Sequence, residues 1–155
     1  MKTNTIELYI HIPFCKSKCR YCDFCSFRAE ERTIHAYLGK LKEELIFWGK
    51  KLAARDVVTV FIGGGTPSYL RREDIQMICE TIFEHFHICE DAEITIEANP
   101  GTVDLKNYVH IGKMGSTGLV LDCSQQSKKN WSIWEEFIPM KNFYKVSTGQ
   151  DKLDF

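Results

Sequence analysis

The chain has 155 residues, room for one ordinary domain, and its 44% apolar and 26% charged content is globular, not disordered. With 20 basic and 21 acidic residues the net charge is −1, which gives no reason to expect a nucleic-acid or membrane-surface binder. No apolar run approaches the ~20 residues that span a bilayer, and Met1 to Thr5 is polar, without a signal peptide's hydrophobic stretch. The expectation is a cytoplasmic protein with no integral membrane segment, whose seven cysteines are not disulfides and need another reason to be there.

Residues 6–12 alternate, with Ile6, Leu8, Ile10 and Ile12 on one face and Glu7, Tyr9 and His11 on the other, which predicts a strand. Pro13 ends it, and a cysteine-rich loop follows directly. Ile34, Leu38, Leu41, Leu45 and Trp48, three and four apart, predict a helix. Val57 to Ile62 is rich in β-branched residues, as in a strand buried on both faces, and Gly63-Gly64-Gly65-Thr66-Pro67 breaks it. Arg71-Arg72-Glu73-Asp74 reads as a solvated helix start with its acids favourably placed. Ile75, Ile78, Cys79, Ile82 and Phe86 then mark one side of a second helix. Ala92 to Ala98 is a third strand, closed by Asn99-Pro100-Gly101, and a third helix is expected near Val103.

Strands alternating with helices predict an α/β fold with a parallel sheet and right-handed crossovers. In such folds the loops at the carboxyl ends of the strands form the active site. The cysteine loop, the glycine loop and the Asn-Pro-Gly turn all fall at that edge.

Cys15, Cys19, Cys22 and Cys25 lie within eleven positions, whereas Cys79, Cys89 and Cys123 are scattered and read as small hydrophobes. Thiolates crowded as C-x3-C-x2-C repel one another and make sense as ligands of a soft metal centre. Zinc usually takes paired C-x2-C units from two segments, and no second pair follows here. An iron–sulfur cluster held by three cysteines leaves one iron open to a substrate or cofactor. The spacing favours that cluster, with a zinc module or unligated thiols as alternatives.

The triple glycine is either a flexible turn or a backbone that lets a ligand approach closely. It is neither a Walker loop nor G-x-G-x-x-G. Glu97, on the polar face with Glu93 and Thr95, is either a solvated strand charge or an acceptor for a ligand ammonium or ribose hydroxyl. His11 could ligate haem or a metal, although a hydrogen-bonded loop histidine is the commoner arrangement. His35, His85, His87 and His110 show no metal-ligand motif.

Leu8-Tyr9-Ile10-His11-Ile12-Pro13-Phe14-Cys15, with Cys19 and Cys22, resembles the radical S-adenosylmethionine (SAM) superfamily. It closely resembles the oxygen-independent coproporphyrinogen III oxidase family and its haem-chaperone branch. Phe61 to Ser68 and Glu93 to Thr102 look like two further signatures of that family, in the right order, and the likeness runs from about Ile6 to about Leu105. The resemblance implies parallel β/α units forming the first half of a partial TIM-like barrel. It implies that Cys15, Cys19 and Cys22 bind a [4Fe-4S] cluster whose open iron SAM chelates. Tyr9, Tyr21, Gly64, Gly65, Thr66 and Glu97 would contact SAM. One-electron reduction, by a reductant protein such as a flavodoxin-like one, would cleave SAM to methionine and a 5′-deoxyadenosyl radical. Porphyrin or haem is the implied partner. In the oxidases a fourth cysteine stands two residues after the third; here that position is Phe24, as in the haem-chaperone branch. Cys25 is one residue out of place for that extra ligand and is not counted as one.

After Leu105 the likeness fails: the family's glycine-leucine-glutamine-serine stretch is replaced by Gly118-Leu119-Val120-Leu121-Asp122-Cys123-Ser124-Gln125. With permitted codon choices, an alternative frame through residues 115–126 and 134–155 encodes segments resembling the family's continuation. The expectation is a frameshift near Lys106, with residues 1–106 the N-terminal part of the radical SAM core and 107–155 an out-of-frame tail, leaving the third strand as an exposed edge. The readings in competition are a haem-chaperone-like protein, an oxidase that decarboxylates coproporphyrinogen III to protoporphyrinogen IX, a non-functional truncated product, and a small zinc module.

Overall fold

A computed structural model describes residues 4–20 and 22–99 together with the backbone of 118–122 and 145–146. The elements run β1 (Thr5–Ile12), α1 (Glu31–Lys51), β2 (Asp56–Gly64), a short 3-10 turn (Pro67–Tyr69), α2 (Arg72–His85), β3 (His87–Ala98), β4 (Gly118–Asp122) and β5 (Lys145–Val146). All neighbouring strands pair in parallel, in the spatial order β1-β2-β3-β4-β5. Each strand lies beside its predecessor with no reversal, the order of a closing barrel and not of a doubly wound sheet.

The register separates the two faces. Leu8, Val60 and Ile94 stand abreast, as do Ile10, Ile62 and Ile96, and these rows form the core with Ile12, Leu38, Leu45, Ile75, Ile78 and Ile82 from the sheet and both helices. On the opposite face the rows are Glu7-Thr59-Glu93 and Tyr9-Phe61-Thr95. Period-2 alternation therefore places Tyr9, His11 and Glu97 on one face.

Each predicted element up to Ala98 is present, β3 starting earlier than expected, at His87, and burial and pairing differ in places. Trp48 is 44% exposed, and Gly49 is the buried residue that lets α1 lie against His85 at the end of α2. The start of α2 is not fully solvated: Asp74 is buried because the Arg71 guanidinium grips both its oxygens, at 3.0 and 3.2 Å. Thr95, on the polar face, is also buried, its hydroxyl donating to Glu93. The outer edge of β3, expected to be bare, pairs through Thr95 to Ala98 with β4. The helix expected near Val103 lies outside the described residues. Among the described residues no helix is long and apolar enough to cross a membrane.

Candidate functional site

The cysteine loop leaves β1 through Pro13 and Phe14. Phe14 is fully buried and packs edge-on against Tyr37 and Phe27, with ring centroids 5.2 and 5.6 Å away. The chain returns at Phe27, whose amide donates to the Pro13 carbonyl while the Cys15 amide donates to the Phe27 carbonyl. These two bonds close the base of the loop, so Cys15, Cys19, Cys22 and Cys25 all hang from one pinned neck. Within it the Cys22 amide donates to the Cys19 carbonyl, the Cys22 sulfur lies 4.0 Å from the buried Ser26 hydroxyl, and the Lys18 ammonium caps the Phe24 carbonyl. Cys25 is exposed, and none of the described cysteines is in a disulfide.

The glycine loop continues the β1–β2 ladder past the ends of both strands. The Gly65 amide donates to Ile12, the Thr66 amide to Phe14, and the Thr66 hydroxyl reaches the Cys15 sulfur at 3.5 Å. Glycine is required twice. Gly64 has a φ of 114°, in the left-handed region, with the His11 ring against its α-carbon, and a side chain at Gly65 would meet backbone atoms of Ile12 and Phe14 at 2.7–2.9 Å. The close approach is thus to this chain's own cysteine loop.

Glu97 joins from β3, its Oε2 accepting the Gly64 amide at 2.8 Å. The turn after β3 is tied in the same way, the Asn99 amide donating to the buried Ser68 hydroxyl. Tyr9 is 59% exposed and stacks on Phe61 at 6.0 Å, and its hydroxyl is 3.0 Å from His11 Nδ1. Partial burial, and then the Glu97 charge, push the Tyr9 phenol above its ordinary range, so it is a neutral hydrogen-bonding group at physiological pH. The structure therefore brings together Tyr9, Cys15, Gly64, Gly65, Thr66 and Glu97. Tyr21 lies outside the described residues. Sequence reasoning misses Phe61 and Ser68 as site residues, although Phe61 precedes Gly63 by the two-residue period of the strand.

The Radical SAM superfamily model matches residues 9–122. The chain belongs to the radical SAM superfamily. It is 40% identical over 119 residues to the heme chaperone HemW of Buchnera aphidicola subsp. Schizaphis graminum, and 40% identical over 116 residues to HemW of Escherichia coli. Each alignment covers 74% of this chain and 31% of the relative. The oxygen-independent coproporphyrinogen III oxidase of E. coli is 31% identical over 140 residues, 86% of this chain and 30% of the oxidase. The solved E. coli coproporphyrinogen III oxidase, HemN, superposes with a TM-score of 0.73 at 31% identity, covering 77% of this chain and 28% of HemN. The chain thus spans about a third of the length of the relatives it matches.

Membership of the radical SAM superfamily implies an iron–sulfur cluster and SAM. The donor chemistry fits: Cys15, Cys19 and Cys22 are partly accessible thiols outside any disulfide on one loop, soft ligands suited to iron–sulfur ligation. Among the described residues no three His, Cys, Asp or Glu side chains are already gathered as a metal site. The pinned neck keeps the donors near one another along the chain.

Proposed function

We propose that this is a radical SAM protein of the haem-chaperone type, in which Cys15, Cys19 and Cys22 hold a [4Fe-4S] cluster and Tyr9, Tyr21, Gly64, Gly65, Thr66 and Glu97 contact SAM. The observation that carries this is the seam between the two loops, where main-chain bonds from Gly65 and Thr66 reach Ile12 and Phe14 and the Thr66 hydroxyl reaches the Cys15 sulfur. A cluster on the cysteine loop would stand directly beside a glycine backbone that a ligand can approach. When bound, the cluster supplies the electron that cleaves SAM to methionine and a 5′-deoxyadenosyl radical. The chain's own part is to position: Glu97 sets the Gly64 peptide, Tyr9 offers a neutral hydroxyl and a ring face, and Phe61 backs that ring. Porphyrin or haem as the partner, a flavodoxin-like reductant and a cytoplasmic location complete the reading. Phe24, 72% exposed, favours the chaperone over the oxidase, since the oxidases place a cysteine there.

Anaerobic reconstitution with iron and sulfide tests the proposal. The wild-type chain should turn brown and bind about four iron atoms, as a [4Fe-4S] cluster requires, and Cys19→Ala should lose the colour. Zinc in place of iron, or no uptake at all, would overturn it. Stoichiometric haem binding without coproporphyrinogen turnover separates the chaperone from the oxidase. The proposed division at residue 106 is tested by the gene sequence: an uninterrupted frame, with no family-like continuation in another frame, removes it.

A further inference from the structure

The His11 imidazole has a neighbour on every side that matters. Its Nε2 lies 3.0 Å from the Cys25 carbonyl oxygen and its Nδ1 lies 3.0 Å from the Tyr9 hydroxyl. A carbonyl can only accept, so Nε2 carries the proton and donates to Cys25. In the neutral ring Nδ1 is then the bare nitrogen and accepts from the Tyr9 hydroxyl. The ring lies against Gly64, where even a methyl group would come within 2.3 Å of Nδ1. The main-chain carbonyl of His11 is held in turn by the Tyr37 hydroxyl from α1. Both ring nitrogens are thus engaged, which leaves neither for haem or a metal.

We infer that His11 is a positioning residue that fixes the far limb of the cysteine loop, beyond Cys22, to the Tyr9 and Gly64 side of the site. The base of the loop is secured by Pro13, Cys15 and Phe27 whatever residue stands at position 11. The limb from Cys22 to Ser26 has a different tie to the sheet, the Cys25 carbonyl on His11. The same ring holds the Tyr9 hydroxyl, and its bulk occupies the space that Gly64 leaves open. One side chain therefore sets three things in mutual register: the stretch after the third thiol, the exposed phenol and the glycine peptide that Glu97 grips. The consequence for ligand binding rests on the proposed SAM-binding role, whereas the tie itself belongs to the metal-free chain.

Amide hydrogen exchange on the metal-free full chain tests the tie directly. His11→Leu should speed exchange across residues 22–26 severalfold and leave α2 unchanged. His11→Gln, whose amide N–H can reach the Cys25 carbonyl, should restore most of the protection. On the reconstituted protein, His11→Leu should keep its iron but bind SAM about tenfold more weakly, the loss expected from two hydrogen bonds, with an altered SAM-induced change in the cluster's EPR signal. Unchanged exchange at residues 22–26 in His11→Leu overturns the inference. Should the leucine variant fail to fold, the glutamine variant decides: exchange at 22–26 as fast as in an unanchored loop overturns it, and near-wild-type protection upholds it. If even the wild-type chain takes up no iron, the SAM reading fails while the exchange result still decides the role of His11.

Discussion

A β-carbon added at Gly64 would stand 2.3 Å from His11 Nδ1, on a backbone already at φ 114°. Backbone strain of this kind costs about 1–3 kcal/mol, before any displacement of the imidazole. Gly64→Ala should therefore lower the thermal midpoint by roughly 5 °C, at about 2–4 °C per kcal/mol for a chain of this length, and scanning calorimetry would show it. An unchanged midpoint would mean that the turn relaxes without cost. At this scale the sequence is partly transparent. Alternation along β1 and β3 places Tyr9 and Glu97 on one face, because side-chain direction in a strand follows from position alone. The partner of His11 is hidden: a carbonyl fourteen residues away belongs to the backbone and leaves no mark on residue identity. Asp74 is hidden for a related reason, since its burial depends on Arg71 folding back to grip both oxygens.

Two glycines of α1 put opposite demands on the same substitution. At Gly39 an added β-carbon would find nothing within 4 Å, so Gly39→Ala should gain the usual helix preference, about 1 kcal/mol. Gly49 faces His85, where the same methyl would meet both the β-carbon and the carbonyl oxygen at 2.6 Å. There the clash at the α1–α2 crossing outweighs the helix preference, and Gly49→Ala should destabilise by about 1–3 kcal/mol. Urea titration of the two variants checks both signs; equal shifts would refute the account. The stripe of Ile34, Leu38, Leu41 and Leu45 announces α1 from spacing alone, but its extension to Trp48 misjudges where the helix touches its neighbour. A glycine at a helix crossing carries no apolar signal, so hydrophobic periodicity passes over it. β4 escapes for a different reason: with only five residues and no alternation, Gly118 to Asp122 is recognisable as a strand only through its pairing with β3.

For the molecule as a whole, Cys79 ties stability to pH. Burial, and then the Glu80 charge, push its thiol from 9.0 up to about 11. In the unfolded chain the thiol ionises near the lower value. Between pH 9 and 11 the unfolded chain therefore releases a proton that the folded chain keeps, and stability falls as pH rises through that window. Two pH units correspond to about 2–3 kcal/mol. Denaturation at about pH 8 and about pH 10.5, either side of the lower value, should show a steeper loss for wild type than for Cys79→Ala, with tyrosine ionisation common to both. Parallel slopes would show that Cys79 does not govern the decline. The global architecture is the most legible level of all: a repeated β-loop-α order admits few arrangements, and a parallel sheet with its unusual loops at one edge is the simplest.

The ladder that carries on beyond β1 and β2 has a mechanical meaning. Its rungs at Gly65 and Thr66 are peptide groups, and beyond a bare glycine at 65 they call for no particular side chain. When thermal motion tilts the rim of the sheet, sulfur-bearing arm and glycine arm must swing together, as two fingers on one knuckle. Drift in the surrounding side chains can then reshape what the site grasps while the spacing between its two halves stays as it was.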